Sequence, residues 1–303
     1  MSKRDFIVID ENGLRLDRNE CICPGFIDEI ISLSNIKNID YFTYTSAYDV
    51  AVLYADNIGY SSDRIHMNHG SEVILKELIC KLTDVDTWVV QNPTFELFSF
   101  YCQHYGKKIV KCDYQYIDKF RIDIPLTNTS KFGLYIVSPH NPTGDIFSFE
   151  ELSKFCEYYK YVIVDEAYIN PLTKIRQMPN NCIMVRTFSK MAGLTGMRFG
   201  VCISNNNIIN ELNETRPMFL NSITLKMVQC IISNQQLLQK LYNEFDEVKQ
   251  LVAEQRQIIA ATGNFVLLNC DSTYKGYDLK PYIFNDNVFH RLTLSDKQTF
   301  LSL

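Results

Sequence analysis

Three stretches decide the fold: FGLYIVSPHNPTG at residues 132–144, YVIVDEAY at residues 161–168 and IMVRTFSK at residues 183–190. Each begins as a short apolar run rich in β-branched or aromatic residues and ends on polar residues that break the pattern. A strand that is apolar on successive residues, not alternate ones, is covered on both faces. Such strands belong to mainly parallel sheets flanked by helices. In those sheets ligands collect at the carboxyl ends of the strands, where loops meet helix N-termini. The polar ends of the three runs are therefore where chemistry is to be sought.

Working outward, further strands are expected at 87–90 (TWVV), 108–112 (KIVKC) and 199–204, with helices at 72–82, 97–105 and 149–158 between them. From about residue 208 to 261 the apolar spacing is helical, with a break at Pro217. A strand-like NFVLLN follows at 264–269, then turn-rich sequence and a last extended piece at 289–294. This pattern predicts an α/β protein in three parts. Residues 1–40 form a segment that packs on the domains, 41–207 a large domain, and 208–303 an interdomain helix with a small α+β domain. A chain of 303 residues suits one large and one smaller core.

Composition removes several function classes. A net charge of -5 and a pI near 5.6 give no electrostatic footprint for nucleic acid or an anionic membrane. No run approaches the ~18 apolar residues that span a bilayer, and MSKRDFIVIDENG lacks the apolar core of a signal peptide, so a cytoplasmic location is expected. Of the ten cysteines, Cys182, Cys202 and Cys230 sit inside apolar runs and read as reduced, structural thiols. Cys21 and Cys23 form a C-x-C without a second metal-spaced pair, so no metal site is expected.

Taken singly, each polar end has a bland reading. N-P-T-G is a turn sequence, D-E-A-Y opens a helix, and S-K is a surface step. Together they bring an amide (Asn141), an acid (Asp165), a phenol (Tyr168), a lysine flanked by hydroxyls (Thr187, Ser189, Lys190) and an arginine (Arg198) to one sheet edge. A pyridine-aldehyde phosphate requires that set. A carboxylate holds its ring nitrogen protonated, donors face its phenolate oxygen, hydroxyls and a guanidinium hold its phosphate, and an amine takes its aldehyde.

In these motifs, with LDRNE at 16–20 and HRLTL at 290–294, the sequence resembles the fold-type I, pyridoxal 5'-phosphate (PLP)-dependent enzymes of the class I/II aminotransferase family. The likeness is greatest to the histidinol-phosphate aminotransferase-like branch. The resemblance implies that Lys190 carries PLP as a Schiff base and shuttles the substrate proton. It implies that Asp165 pairs with the pyridine nitrogen, and that Asn141 and Tyr168 face the phenolate oxygen. Thr187, Ser189 and Arg198 bind the phosphate, with the backbone amides of Gly70 and Ser71 at a helix start. Phe95 stacks on the ring, with Phe98 as the alternative and a plain core phenylalanine as the structural reading of either. Tyr44 reaches the phosphate of a neighbouring subunit in a homodimer, or else is a packing tyrosine. Arg291 forks onto the substrate carboxylate. Asn19 lines the substrate pocket or serves as a turn asparagine. His140, beside the cofactor turn but without a metal-spaced partner, reads as structural.

One region departs from the family pattern. Beyond Tyr277 the segment ahead of Arg291 is short and carries no second arginine, though Lys280 offers a positive charge. That departure leaves the amino acceptor open, and histidinol phosphate itself in doubt as substrate. The reading is an aminotransferase that moves an amino group from a donor such as glutamate to a small keto or aldehyde acceptor, phosphorylated or not. The alternatives are a PLP-dependent decarboxylase of an O-phospho amino acid and a non-catalytic relative; the intact Lys190, Asp165 and Arg198 speak against the second.

Overall fold

The computed structural model describes residues 16–127, 129–215, 219–270 and 272–302. The Pro217 break and residues 1–15 of the expected N-terminal segment lie outside the described residues. Seven strands form the main sheet: β1 (Ile65–Asn68), β2 (Thr87–Asn92), β3 (Lys108–Asp113), β4 (Thr129–Val137), β5 (Tyr159–Asp165), β6 (Cys182–Thr187) and β7 (Gly200–Ile203). Their order is β1-β7-β6-β5-β4-β2-β3. Only β7 runs against the others, being antiparallel to both β6 and β1. β1 was not expected as a strand: IHMN shows no long apolar run, yet all four residues are buried against β7 and the helices.

The sheet topology explains why the motifs meet. The SPHNPTG turn follows β4, Asp165 closes β5, Thr187 closes β6, and the Asn68-Gly70 turn follows β1. β7 runs the other way, so its first residue, Gly200, starts at this same edge, paired with both Thr187 and Asn68. The register also sets Val137 beside Asp165 and Asp165 beside Val185.

Helices α1 (Pro24–Leu33), α2 (Tyr48–Ile58), α3 (Ser71–Lys81), α4 (Glu96–His104) and α5 (Phe149–Tyr158) cover the sheet. α5 begins with a capping box between Ser148 and Glu151, the reciprocal pair that satisfies two free backbone donors. α6 (Ile208–Thr215), α7 (Ser222–Ser233) and α8 (Gln236–Ala253) follow. α7 buries Leu225, Val228 and Ile231 in the core it shares with α1 and α2. α8 buries Leu241, Phe245, Val248 and Val252 against Leu16, Val266, Leu292 and Leu294.

The helical spacing expected to run to residue 261 stops at Ala253. Residues Ile258–Thr262 form strand β8, in a hairpin with β9 (Phe265–Leu268) around Gly263, whose φ is +52°. Two consecutive isoleucines and the turn sequence Gly263-Asn264 favour that hairpin, and pairing with a distant partner completes it. β10 (Lys280–Phe284) and β11 (Asn287–Thr293) complete a four-stranded antiparallel sheet, ordered β8-β9-β11-β10. No described helix is long and apolar enough to cross a membrane.

Candidate active site

Asp165 is buried at the end of β5. Its Oδ2 accepts from the Tyr135 hydroxyl at 2.8 Å and its Oδ1 from the Ala167 amide at 3.1 Å. Burial pushes its carboxyl up to about 6 against the pull of those two donors. No arginine or lysine of the described residues forms an ion pair with it. A buried carboxylate held by neutral donors alone is electrostatically incomplete, so the site suits a cationic ring nitrogen.

Tyr168 lies three residues on. Its hydroxyl oxygen accepts from Asn141 Nδ2 at 2.5 Å and Asn19 Nδ2 at 2.9 Å, which leaves its own proton available to a ligand oxygen. Asn19 is buried beside it. Its φ of +55° is a left-handed turn conformation, while its side chain ties Tyr168 to Thr293 (3.0 Å). Its carbonyl accepts from Lys190 Nζ at 3.1 Å. Burial, helped by Arg291 and Arg198, lowers the Lys190 ammonium to about 8, so the uncharged, nucleophilic amine is accessible near neutrality.

A helix start, two hydroxyls and a guanidinium lie together beside these groups. Gly70 caps α3 with φ +92°, and the first amides of the helix, from Ser71 on, point out of its positive end. Thr187 Oγ1 donates to Ser189 Oγ at 3.0 Å, and Arg198 Nη1 lies 3.4 Å from that same oxygen. A Cβ on Gly70 would come within 2.8 Å of Arg198 Nη2, and one on Gly200 within 2.4 Å of Ser71 N. The two glycines leave room for the guanidinium and for β7 to abut the helix start.

Arg291, on β11, is buried. Its Nη1 donates to Asn141 Oδ1 (3.0 Å) and the Tyr282 hydroxyl (2.9 Å), and its Nη2 to the Asp17 carbonyl (2.5 Å). Its Nε has no acceptor among the described residues. A desolvated guanidinium with a free donor, joined through Asn141 to Tyr168, is suited to a small carboxylate.

The remaining expected residues divide. Phe95 is 37% exposed at the N-cap of α4, in the loop after β2 at this sheet edge. Phe98, the alternative ring-stacking residue, is fully buried, 3.8 Å from Tyr135 in a near-parallel stack and edge-on to Trp88, so it belongs to the core. Tyr44 is 83% exposed, stacks on Phe219 at 4.5 Å, and shares a shallow surface depression with His69. His140 is structural. Buried, it bridges Thr143 Oγ1 and the Pro93 carbonyl at 2.8 Å each, and burial lowers it to about 4. Three participants are not singled out by the sequence: Tyr135, Tyr282 and Thr293. The surface depression bounded by Lys119, Arg121, Asp145 and Glu151 brings together no comparable set of buried polar groups.

The fold and this constellation define a class of enzyme. The chain belongs to the class I and II aminotransferase family, whose model matches residues 4–287. Within it the chain falls in the histidinol-phosphate aminotransferase-like branch. A histidinol-phosphate aminotransferase of Thermococcus gammatolerans is 25% identical over 287 residues, covering 89% of this chain and 83% of its own. Among solved structures, the histidinol-phosphate aminotransferase of Sinorhizobium meliloti in complex with PLP superposes with a TM-score of 0.73 at 18% identity, covering 94% of this chain and 87% of that one. The L-threonine-O-3-phosphate decarboxylase of Porphyromonas gingivalis does so at 0.72 and 15% identity, covering 95% and 96%.

Proposed function

We propose that the protein is a PLP-dependent aminotransferase that takes an amino group from glutamate or a similar donor and gives it to a small keto or aldehyde acceptor, phosphorylated or not. The observation that carries this reading is Lys190, a half-buried amine lowered to about 8 and flanked by Asp165, by Tyr168 with Asn141, and by the cup of Gly70, Ser71, Thr187, Ser189 and Arg198. When bound, PLP supplies an aldehyde that condenses with amines and a ring that accepts the electrons released at the substrate's amino carbon.

The chain's own residues do the rest. Lys190 Nζ provides the amine that anchors the cofactor and, once released, a base that takes and returns the proton at the amino carbon. The Asp165 carboxylate holds the ring nitrogen protonated. Tyr168 and Asn141 would donate to the phenolate oxygen. The cup neutralises the phosphate through a guanidinium, two hydroxyls and helix amides. Phe95 covers one ring face, and Arg291 takes the substrate carboxylate with its free Nε and one Nη. Asn19 holds Lys190 and Tyr168 in register. Tyr44, exposed beside Tyr41 and Phe42, enters the phosphate cup of a second copy in a homodimer, and the location is cytoplasmic.

A second reading is decarboxylation of an O-phospho amino acid, favoured by the full-length likeness to the threonine-phosphate decarboxylase fold. One half-reaction separates the two. Holoenzyme incubated with glutamate is expected to lose its visible band as the cofactor passes to the pyridoxamine form, with 2-oxoglutarate released. Failure with glutamate and every other amino donor tested, with carbon dioxide released from phosphothreonine, would replace the first reading with the second.

A further inference from the structure

We propose that Tyr135 is a positioning residue of the site, its hydroxyl holding the Asp165 carboxylate in orientation and keeping the shared proton on the cofactor's ring nitrogen. This rests on the PLP reading above and extends it to a residue that neither the motifs nor the family pattern singled out.

Tyr135 sits on β4 two residues before Val137, and Val137 is Asp165's register partner on β5. Side chains two apart share a face of a strand, so the hydroxyl reaches diagonally to Asp165 Oδ2 at 2.8 Å. Both side chains are buried. The tyrosine ring is fixed by Phe98, stacked on it at 3.8 Å and 8°, and Phe98 is braced edge-on by Trp88 at 5.4 Å. The donor is thus held by a packed aromatic column, where little reorientation is open to it. Asp165 has two donors, one on each oxygen, and each oxygen keeps a lone pair for a third.

The other titratable groups that act on this pair are Glu166, Tyr168, Lys190 and the Cys102 thiol. None of them donates a hydrogen bond to Asp165. Tyr135 is the one side chain among the described residues that does so, and it therefore sets how basic the carboxylate is. A carboxylate stripped of that donor becomes more basic and draws the shared proton off the ring nitrogen, weakening the ring as an electron acceptor.

The test is Tyr135→Phe, which removes one oxygen and leaves the aromatic column intact. Three readouts apply: affinity of the apoprotein for PLP, the pH midpoint of the bound cofactor's visible band, and kcat against KM. PLP affinity is expected to fall about tenfold, the band midpoint to rise by about one pH unit, and kcat to fall with KM for the donor little changed. In an Asp165→Asn background the same substitution should change PLP affinity by less than about twofold, because its partner charge is gone. Equal losses in both backgrounds, or a Tyr135→Phe protein with wild-type midpoint and affinity, would overturn the assignment. A wild-type protein that forms no visible band with PLP contradicts the cofactor reading and this assignment together; a band with an unmoved midpoint contradicts this assignment alone.

Discussion

Gly200→Ala tests whether the anion cup depends on β7 abutting the start of α3. An added Cβ would lie 2.4 Å from Ser71 N and 2.5 Å from the Gly70 carbonyl carbon. Ordinary carbon contacts begin near 3.5 Å, so strand and helix start would have to part by about 1 Å. The obstructing atoms are backbone, not the far end of a flexible side chain. Gly200 is also hydrogen-bonded into the sheet between Thr187 and Asn68, so it cannot retreat. Overpacking of this kind costs about 1–3 kcal/mol, and the rigid surroundings place it toward the upper end. The movement also carries the Ser71 amide and Thr187 away from the phosphate position proposed for them. Losing one charge-assisted hydrogen bond would weaken PLP about tenfold or more. The assay is urea unfolding of the apoprotein together with PLP titration, with inorganic phosphate as competitor. Gly196→Ala is the matched control, because nothing lies within 4 Å of its added Cβ, and it should alter stability by no more than about 0.5 kcal/mol. A Gly200→Ala protein as stable as the control, with unchanged PLP and phosphate affinity, would show that the close approach of β7 to α3 does not shape the phosphate position.

Three further outcomes are expected. Because burial raises Asp165 to about 6, its charge is a cost to the apoprotein that appears as pH rises from near 3.8 through 6. Asp165→Asn apoprotein should therefore be more stable than wild type above pH 6, by up to about 2 kcal/mol in urea unfolding, and equal or less stable below pH 4, while losing PLP affinity. For Lys190, lowered to about 8, the rate of PLP capture by apoprotein should rise with pH to a midpoint near 8; a stopped-flow midpoint near 10.5 would show that burial does not tune the amine. The same shift makes this group's contribution to stability increase across pH 8–10.5, where the unfolded chain binds the extra proton. Arg291→Lys should keep PLP but raise KM for a carboxylate donor about tenfold or more, since an ammonium cannot fork onto both oxygens; steady-state kinetics with an unaltered KM would exclude that role.

Much of this was legible in the sequence because the decisive residues interrupt strong patterns. Asn141, Asp165 and Lys190 each follow an apolar run; each alone fits a turn, a helix start or a surface step, but together they bring an amide, an acid and an amine to one sheet edge. The fold class followed from the same runs. What was hidden depends on long-range pairing. Tyr135 is one more aromatic residue in an apolar strand until β4 and β5 are aligned, and only then does it face Asp165. β1 is four residues long and is made a strand by β7, a neighbour well over a hundred residues away. Ile258 and Ile259 fit a helix or a strand locally, and pairing with β9 decides between them. Phe95 and Phe98 could not be separated by spacing, whereas burial against Tyr135 and Trp88 assigns Phe98 to the core.

Every role proposed for the site depends on Lys190 being the lysine that carries the cofactor. Borohydride reduction of the PLP-loaded protein, followed by proteolysis and peptide mass spectrometry, reads that residue directly. One pyridoxyl phosphate per chain on the peptide that holds Thr187-Phe188-Ser189-Lys190 is the predicted result, with none in Lys190→Ala. A label on another lysine, or a Lys190→Ala protein that is labelled as well as wild type, would contradict it.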